Sequence, residues 1–551
     1  MLELSGENFF RVRAYRNAAR AIRDQPVAIA ELSPEQIDEI PGIGADLAGK
    51  IATLVKTGEL PLHRELATKF PRELRELCDL PGLGPKRIKL LNELLHVTGR
   101  DDLERAIRSG KLRTIRGFGA KSEARILESL AKTATGMGKR ILLAEATAIA
   151  SKLTAHLARC HTIIELKIAG SFRRRRETVG DLDVVASADD CEPCMKQLKS
   201  FPDVAKVAGS GATRTTVLLK SGLQVDLRVV SPKSLGAALL YSTGAKAHNI
   251  RLRRIAQNLG LLLNEYGLFR GRKMIASRTE EELYQALSLP WIAPELREDR
   301  GEIEVAAAGQ LPRLIARKDL RGDLHSHSTY TDGRASIEEM ARRACDLGLE
   351  YLAITDHSRR VAMAHGLTPA RLREQRTEID RVAGQLKGIT LLRGIEVDIL
   401  DDGSLDLPDD ALAELDWVVV SLHYNLRDSR AATTRRLIKA IKNPHVDVIG
   451  HPSGRLLGHR EPAAIDLAEV LRVAHEEGCA MEVNSQPDRL DLTDTGCMAA
   501  KRAGVKLAIS SDSHSVREFD MLEFGINQAR RGWLEAADVL NTRPLKSLHL
   551  R

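Results

Sequence analysis

The stretch GDLHSHSTYTDG, residues 322–333, sets His325 and His327 one residue apart and places Asp332 just beyond them. In an extended chain alternate side chains point to one face, so the two imidazoles would face the same way at the end of a strand. Six further strand-like runs follow, YLAITDH, TLLRGIEV, WVVVSLH, VDVIGH, AMEVN and KLAISSDSH, alternating with helical stretches as in a parallel barrel. The carboxyl ends of barrel strands converge, which would gather His325, His327, Asp332, His357, Glu396, His423, His451, Asp512 and His514 in one cup. One histidine ending a strand is more often structural than a ligand. So many at one barrel face would leave unpaired polar groups at heavy cost unless metal ions satisfied them.

A second phrase, GDLDVV at residues 180–185, carries carboxylates where the first carries imidazoles. Asp181 and Asp183 lie two apart and share one face of a strand, and LQVDLRVV, residues 223–230, supplies Asp226 from another. Three converging carboxylates suit two-metal phosphoryl transfer. The sequence therefore points to two separate metal sites.

Working outward, three phrases recur toward the N-terminus: IPGIGADLAGKI from Ile40, LPGLGPKRIKLL from Leu80 and IRGFGAKSEARI from Ile115. Their paired glycines, Gly42 and Gly44, Gly82 and Gly84, Gly117 and Gly119, permit a tight turn before a helix whose positive N-terminus can take a phosphate without reading a base. The opening run NFFRVRAYRNAARAIRD sets Phe9, Val12, Ala19 and Ile22 at helical spacing, with Arg11, Arg13, Arg16, Arg20 and Arg23 between them.

Charge follows the same division. The net charge of +8 is distributed as +6 over residues 1–140, +6 over 141–315 and −4 over 316–551, so a polyanion is drawn to the front and cations to the rear. Only 3% of residues are aromatic, which disfavours a single-strand binder built on stacking platforms. The seven cysteines are scattered, and the one close pair, Cys191 and Cys194 in CEPC, lacks a second pair to complete a zinc site. With no signal-like N-terminus and no apolar run near the roughly 18 residues of a membrane span, a cytoplasmic protein without a membrane partner is expected.

The glycine phrases resemble the helix-hairpin-helix motif of DNA repair proteins. With the opening helix, the first resembles the lyase-type N-terminal domain of X-family DNA polymerases, which would put a Schiff-base lysine at Lys50; Asp46 departs from a second basic position of that pattern. Residues from about 140 to 310 resemble the nucleotidyltransferase palm of DNA polymerase β and its relatives. That resemblance implies Asp181 and Asp183 bridging two Mg²⁺ ions, and Asp226 on the catalytic ion, helping to deprotonate a primer 3′-hydroxyl. It further implies Ser171, Arg174 and Gly180 around a triphosphate, Tyr241 and Gly244 near the sugar, Asn249 toward the base and Arg253 toward the template. Ser242 and Ala245 depart from the family pattern. The last third resembles the PHP (polymerase and histidinol phosphatase) domain, a (β/α)7 barrel whose imidazoles suit Mn²⁺ or Zn²⁺.

Taken whole, the chain resembles the bacterial-type X-family polymerases. The expected architecture is multidomain, α+β and α/β: a lyase-like helical domain over 1–75, helix-hairpin-helix region over 76–140, palm over 141–230, thumb over 231–310, linker over 311–320 and PHP barrel over 321–551. The resemblance implies a monomer that fills short gaps during DNA repair, taking gapped or nicked double-stranded DNA and dNTPs. It adds 3′-5′ exonuclease, and extends to abasic-site endonuclease. A phosphatase of a small ester such as histidinol phosphate, and a non-catalytic scaffold for DNA ends, are the competing readings. Three glycine turns and an intact carboxylate triad oppose the first, and the full set of acids and histidines opposes the second.

Overall fold

Two of the glycine turns open directly into helices. Gly44 is the N-cap of Ala45–Thr57 and Gly84 that of Pro85–Leu95, both in extended backbone, and Pro85 takes the first helical position, where no N–H is needed. The computed structural model describes residues 1–23, 29, 32–40, 43–79, 83–115, 118–119, 123, 126–127 and 140–548. Gly42, Gly82 and Gly117 lie outside the described residues; Gly119 lies within them, its carbonyl accepting the Glu123 N–H at 3.0 Å.

These helices belong to a first compact unit, Met1–Lys139. The arginine-rich run forms the helix Phe9–Arg23, with Val12 buried. One small core joins Ala18, Ile37, Ile40, Ile43, Ala48 and Ile51. A larger one packs Leu4, Leu66, Phe70 and Leu74 with Leu83, Ile88, Leu91 and Leu103, and so crosses the boundary expected at residue 75.

The second unit, Arg140–Arg551, begins with a five-stranded sheet. Its strands are β1 (Glu165–Ile168), β2 (Asp181–Ser187), β3 (Val204–Ser210), β4 (Arg214–Leu219) and β5 (Gln224–Val230), in the order β1-β2-β5-β4-β3. Only β2 and β5 run parallel, and their register sets Asp183 beside Asp226. Alternation along β2 buries Leu182, Val184 and Ala186 against the helices Leu143–Leu157 and Cys191–Lys199, leaving Asp181 and Asp183 on the opposite face. Cys194 is part of that core, and all seven cysteines are free thiols. The helices Leu235–Thr243 and Lys246–Asn258 then share a core with a three-stranded sheet through Ala237, Leu240, Leu252 and Leu268.

Residues 311–320, expected as a linker, place Ile315 and Leu320 in the core of the barrel that follows, and the Ile315 N–H donates to the Leu534 carbonyl at 3.0 Å. Seven parallel strands form the barrel in chain order: β6 (Gly322–Asp323), β7 (Tyr351–Ile354), β8 (Thr390–Asp398), β9 (Trp417–Ser421), β10 (Val448–Ile449), β11 (Ala480–Asn484) and β12 (Leu507–Ser510). The first regular strand ends at Asp323, short of the histidines. Gly322 is required there because a β-carbon would strike the Tyr351 ring. Beyond Asp323, backbone pairing closes the barrel: Ser326 bridges Ser513, the Asp512 N–H donates to His325 O at 3.0 Å, and the His327 N–H donates to Ser513 O at 2.8 Å.

The barrel floor is apolar, from Tyr351, Ala353, Leu392, Trp417, Val419, Val448, Ala480 and Ala508. Continuing up the same inward faces, two to four residues on, come His357, Glu396, His423, Glu482 and Asp512. Period-two alternation therefore carries the polar residues to the carboxyl ends of the strands. Among the described residues, no helix is long and apolar enough to cross a membrane.

Candidate metal centres

The first centre stands on β2 and β5. Ligand oxygens of Asp181, Asp183 and Asp226 all lie within 4.8 Å of one another. Asp226 is held by three donors: Arg214 Nη2 at 3.0 Å, Gln224 Nε2 at 2.6 Å and the Thr216 hydroxyl. Among the described residues Asp183 has no such support. Burial, then Asp181, then Asp226 push its carboxyl up to about 7, and burial with Asp226 raises Asp181 as well. Two crowded acids and one fixed carboxylate make a site that a divalent cation completes.

The neighbouring residues follow from this geometry. Gly170, in left-handed backbone (φ +64°), starts the short helix Gly170–Arg173; a β-carbon there would collide with the Asp183 carboxylate. Ser171 is in the same turn, and Gly180 directly precedes β2. Arg174 Nε donates to Glu298 at 3.0 Å and its Nη1 to the Thr243 carbonyl at 2.7 Å. Tyr241, Asn249 and Arg253 line one small hollow with Asn264. Asn249 Nδ2 donates to the carbonyls of Tyr241 (2.8 Å) and Gly244 (3.2 Å), and a β-carbon on Gly244 would strike Asn249. In the first unit, Lys50 Nζ sits 2.5 Å from Asp46 and 5.5 Å from the centre of the Tyr15 ring. Asp46, then Tyr15, raises the Lys50 pKa, which opposes the unprotonated amine that a Schiff base requires.

The second centre is the barrel cup, and all nine residues expected there come together. Three sets of ligand atoms fall within 4.8 Å: His327, Asp332, His357 and His514; His325, His327 and Asp512; and His357, Glu396 and His423. His451 joins through Nε2, 3.0 Å from Glu396. Glu396 is the hub, with nitrogens of His357, His423, His325 and His327 at 2.7, 3.4, 3.6 and 3.8 Å. Yet both Glu396 oxygens, His325 Nε2, His327 Nδ1, His357 Nδ1, His423 Nδ1 and His451 Nδ1 are buried with no hydrogen-bond partner. Carboxylate and imidazole atoms crowded together with these hydrogen bonds unmade fit a site that cations complete.

The electrostatics agree. Burial opposes charge on His357, but Glu396 and Asp332 raise it to about 10; burial likewise yields at His514 to Asp332 and Asp512, which lift it to about 9. His327, tilted against the His357 ring at a centroid distance of 4.5 Å and stacked on that of His514 at 4.2 Å, is driven down to about 3 by burial and by these two neighbours. Two of the candidate ligand positions, His451 (φ +25°) and Asp512 (φ +51°), hold left-handed backbone, a strain typical of functional sites.

Sequence reasoning missed the layer behind the ligands. Glu482 lies 2.8 Å from His325 Nδ1 and accepts the His451 N–H at 2.6 Å; Asp398 accepts the His423 backbone N–H at 3.3 Å. Bonded to His325 Nδ1, Glu482 leaves the Nε2 of that imidazole to face the cup, and Asp398 holds the backbone of His423. The available signal was AMEVN, the one strand without a ligand at its end, whose Glu482 shares the inward face.

The raised Asp183 carboxyl has a consequence for stability. Unfolding restores its ordinary acidity, so the metal-free fold loses stability as pH rises from the usual carboxylate range through about 7. In EDTA, Asp183→Asn is expected to raise the melting temperature by about a few degrees near pH 8 and to change little near pH 4. Scanning calorimetry at both pH values checks this; equal shifts would contradict it.

Comparison with known families places this geometry. Residues 1–60 match the helix-hairpin-helix domain and 74–132 the SAM-like helix-hairpin-helix tandem. Residues 140–255 match the DNA polymerase beta palm, 238–298 the DNA polymerase beta thumb and 323–486 the PHP domain. The chain is 37% identical over 551 residues to the DNA polymerase/3′-5′ exonuclease PolX of Bacillus subtilis (strain 168), covering 99% of this chain and 96% of that protein. It is also 34% identical over 232 residues to a probable phosphatase of Thermoanaerobacter sp. (strain X514), a match spanning 40% of this chain and 89% of that protein.

Proposed function

From the premise that this chain belongs to the PolX family of DNA polymerase/3′-5′ exonucleases, we propose how its residues divide the two reactions. The protein is a DNA polymerase with a 3′-5′ exonuclease, acting on DNA with dNTPs and dependent on divalent metal ions. The phosphatase reading explains only the barrel, since matches of that kind stop at the PHP part.

The observation that carries the assignment is two unconnected ligand sets in one chain, three carboxylates on a sheet and nine residues in a cup. Asp181, Asp183 and Asp226 form the polymerising centre and hold Mg²⁺, since all its ligands are hard oxygens. The cup, rich in imidazole, holds Mn²⁺ or Zn²⁺ through His325, His327, Asp332, His357, Glu396, His423, His451, Asp512 and His514. When bound, such ions polarise phosphoryl oxygens and acidify an attacking hydroxyl or water. Around the triad, Arg174 and the backbone of Ser171 and Gly180 orient a triphosphate. Tyr241, Gly244 and Asn249 shape the nucleotide pocket, and Arg253 faces the template. Residues 141–310 thus polymerise and 321–551 resect; residues 1–140 hold DNA through the glycine phrases that contain Gly42, Gly44, Gly82, Gly84, Gly117 and Gly119.

We place the protein in repair of short gaps, as a cytoplasmic monomer that cleans a terminus before filling; free cysteines fit a reducing compartment. Abasic-site cleavage would be a second use of the cup. Lys50, held by Asp46, stays outside this machinery. The test is incubation with a labelled one-nucleotide gap in Mg²⁺ or Mn²⁺, with and without dNTPs. Extension only with dNTPs and resection only without them supports the reading; absence of either activity contradicts it.

Gap recognition gives a further expected result. A 5′-phosphate on the downstream strand should tighten binding through the basic front unit. The core that crosses residue 75 dictates a deletion of residues 1–139, because a shorter cut would expose Leu83, Ile88 and Leu91. Loss of phosphate discrimination in that deletion, measured by titration of phosphorylated and hydroxyl gaps, is the expected outcome. Retained discrimination would rule the front unit out.

A further inference from the structure

A buried ionic chain outside both metal centres links the barrel to the polymerising half. Arg531 ends the helix Leu522–Arg531, beyond the residues matched to the PHP domain, and is 2% exposed. Its Nη2 donates to Asp494 of the barrel at 2.6 Å. Its Nη1 donates to Glu298 at 3.0 Å and to the backbone carbonyl of Arg174 at 2.8 Å. Glu298 in turn accepts Arg174 Nε at 3.0 Å and lies 3.4 Å from Arg176 Nη1. Two of the three guanidinium nitrogens of Arg174 are thereby committed, while Nη2 has no hydrogen-bond partner among the described residues. The charge of Arg174 reaches the triad, where it opposes the rise of the Asp181 and Asp183 carboxyls caused by burial.

We propose that Arg531, on the barrel's last α-helix, is a positioning residue for nucleotide incorporation, taking up part of the Glu298 charge and holding Arg174 aimed at the triphosphate of the incoming dNTP. The inference rests on the reading of Arg174 as part of the triphosphate cradle. Glu298 is one carboxylate shared by three guanidiniums. Without Arg531 its negative charge falls on Arg174 and Arg176 alone, so it screens more of the positive charge that must meet a polyanion. The Arg174 backbone also loses its anchor. Asp494 keeps a partner in Arg300 at 3.0 Å, so the barrel side stays paired and the cup, whose ligands lie elsewhere, is undisturbed.

The experiment uses the full chain and compares Arg531→Gln, Arg531→Lys, Arg174→Ala and the double variant Arg531→Gln/Arg174→Ala. Each is assayed for dNTP KM and kcat on a matched gap and for Mn²⁺-dependent resection. Arg531→Gln should raise the dNTP KM about tenfold, the size of one lost charge-assisted hydrogen bond, with kcat and resection nearly unchanged. Arg531→Lys, which keeps the charge but not the fork, should fall between. In the Arg174→Ala background, Arg531→Gln should add nothing, because the effect runs through Arg174. A role in holding the fold together would instead lower both activities in parallel and add in the double variant, overturning the proposal. An unchanged KM for Arg531→Gln beside a raised KM for Arg174→Ala would overturn it too. An unchanged KM for Arg174→Ala would remove the cradle reading itself, and this proposal with it.

Discussion

Asp183→Ala is expected to abolish primer extension and to leave Mn²⁺-dependent 3′ resection intact. Asp183 sits opposite Asp226 in the β2–β5 register and within 4.8 Å of both other acids of the triad, and no side-chain donor supports it among the described residues. Its removal takes away a ligand no neighbour can replace, and extension should fall on the order of a thousandfold, several kcal/mol of lost charge stabilisation. Resection should persist because the cup draws its ligands from β6 onward. Gap extension and release of a labelled 3′ nucleotide, measured on one preparation, check both. Loss of the two activities together in a folded variant would refute separate centres.

The converse variant is His325→Ala/His327→Ala. His325 faces Glu396, Asp512 and Glu482, while His327 belongs to two of the three ligand sets, so the pair takes ligands from both. Alteration of an outer residue alone typically lowers metal affinity or activity by roughly 10- to 100-fold, and loss of two ligands should exceed that. Resection of a mispaired 3′ end should disappear in Mn²⁺ while extension of a matched end continues. Wild-type resection by this variant would remove the cup from the nuclease reaction.

Much of this arrangement was legible before any coordinates. Strand alternation placed Asp181 and Asp183 on one face, and strand ends placed His357, Glu396, His423 and His451 in one cup, because both inferences need only local periodicity. The second glycine of a turn as helix N-cap, at Gly44 and Gly84, is equally local. What escaped is long-range. The core joining Leu4 to Leu91 has no sequence signature, although the two helix-hairpin-helix matches, residues 1–60 and 74–132, also part just before residue 75. Arg531 and Arg174 are separated by more than half the chain, and nothing near either residue announces the other. Glu482 and Asp398 resembled ordinary strand residues because orienting carboxylates follow no spacing of their own.

The barrel closes through the backbone of the very segments that present His325, His327 and Asp512: the carbonyl of His325, the N–H groups of His327 and Asp512, and Ser326 against Ser513. Evolutionary drift therefore meets two different barriers there. A lineage that abandons hydrolysis can exchange these imidazoles and carboxylates one at a time, since the closing bonds of their own segments come from main-chain groups that every replacement except proline supplies, and the side chains that also join the two edges, Asp323 and Asn541, lie outside the cup set. A single deleted or inserted codon in either segment would shift the pairing by one residue and unseal the fold. Inactive descendants should thus betray their ancestry through conserved segment length rather than conserved chemistry.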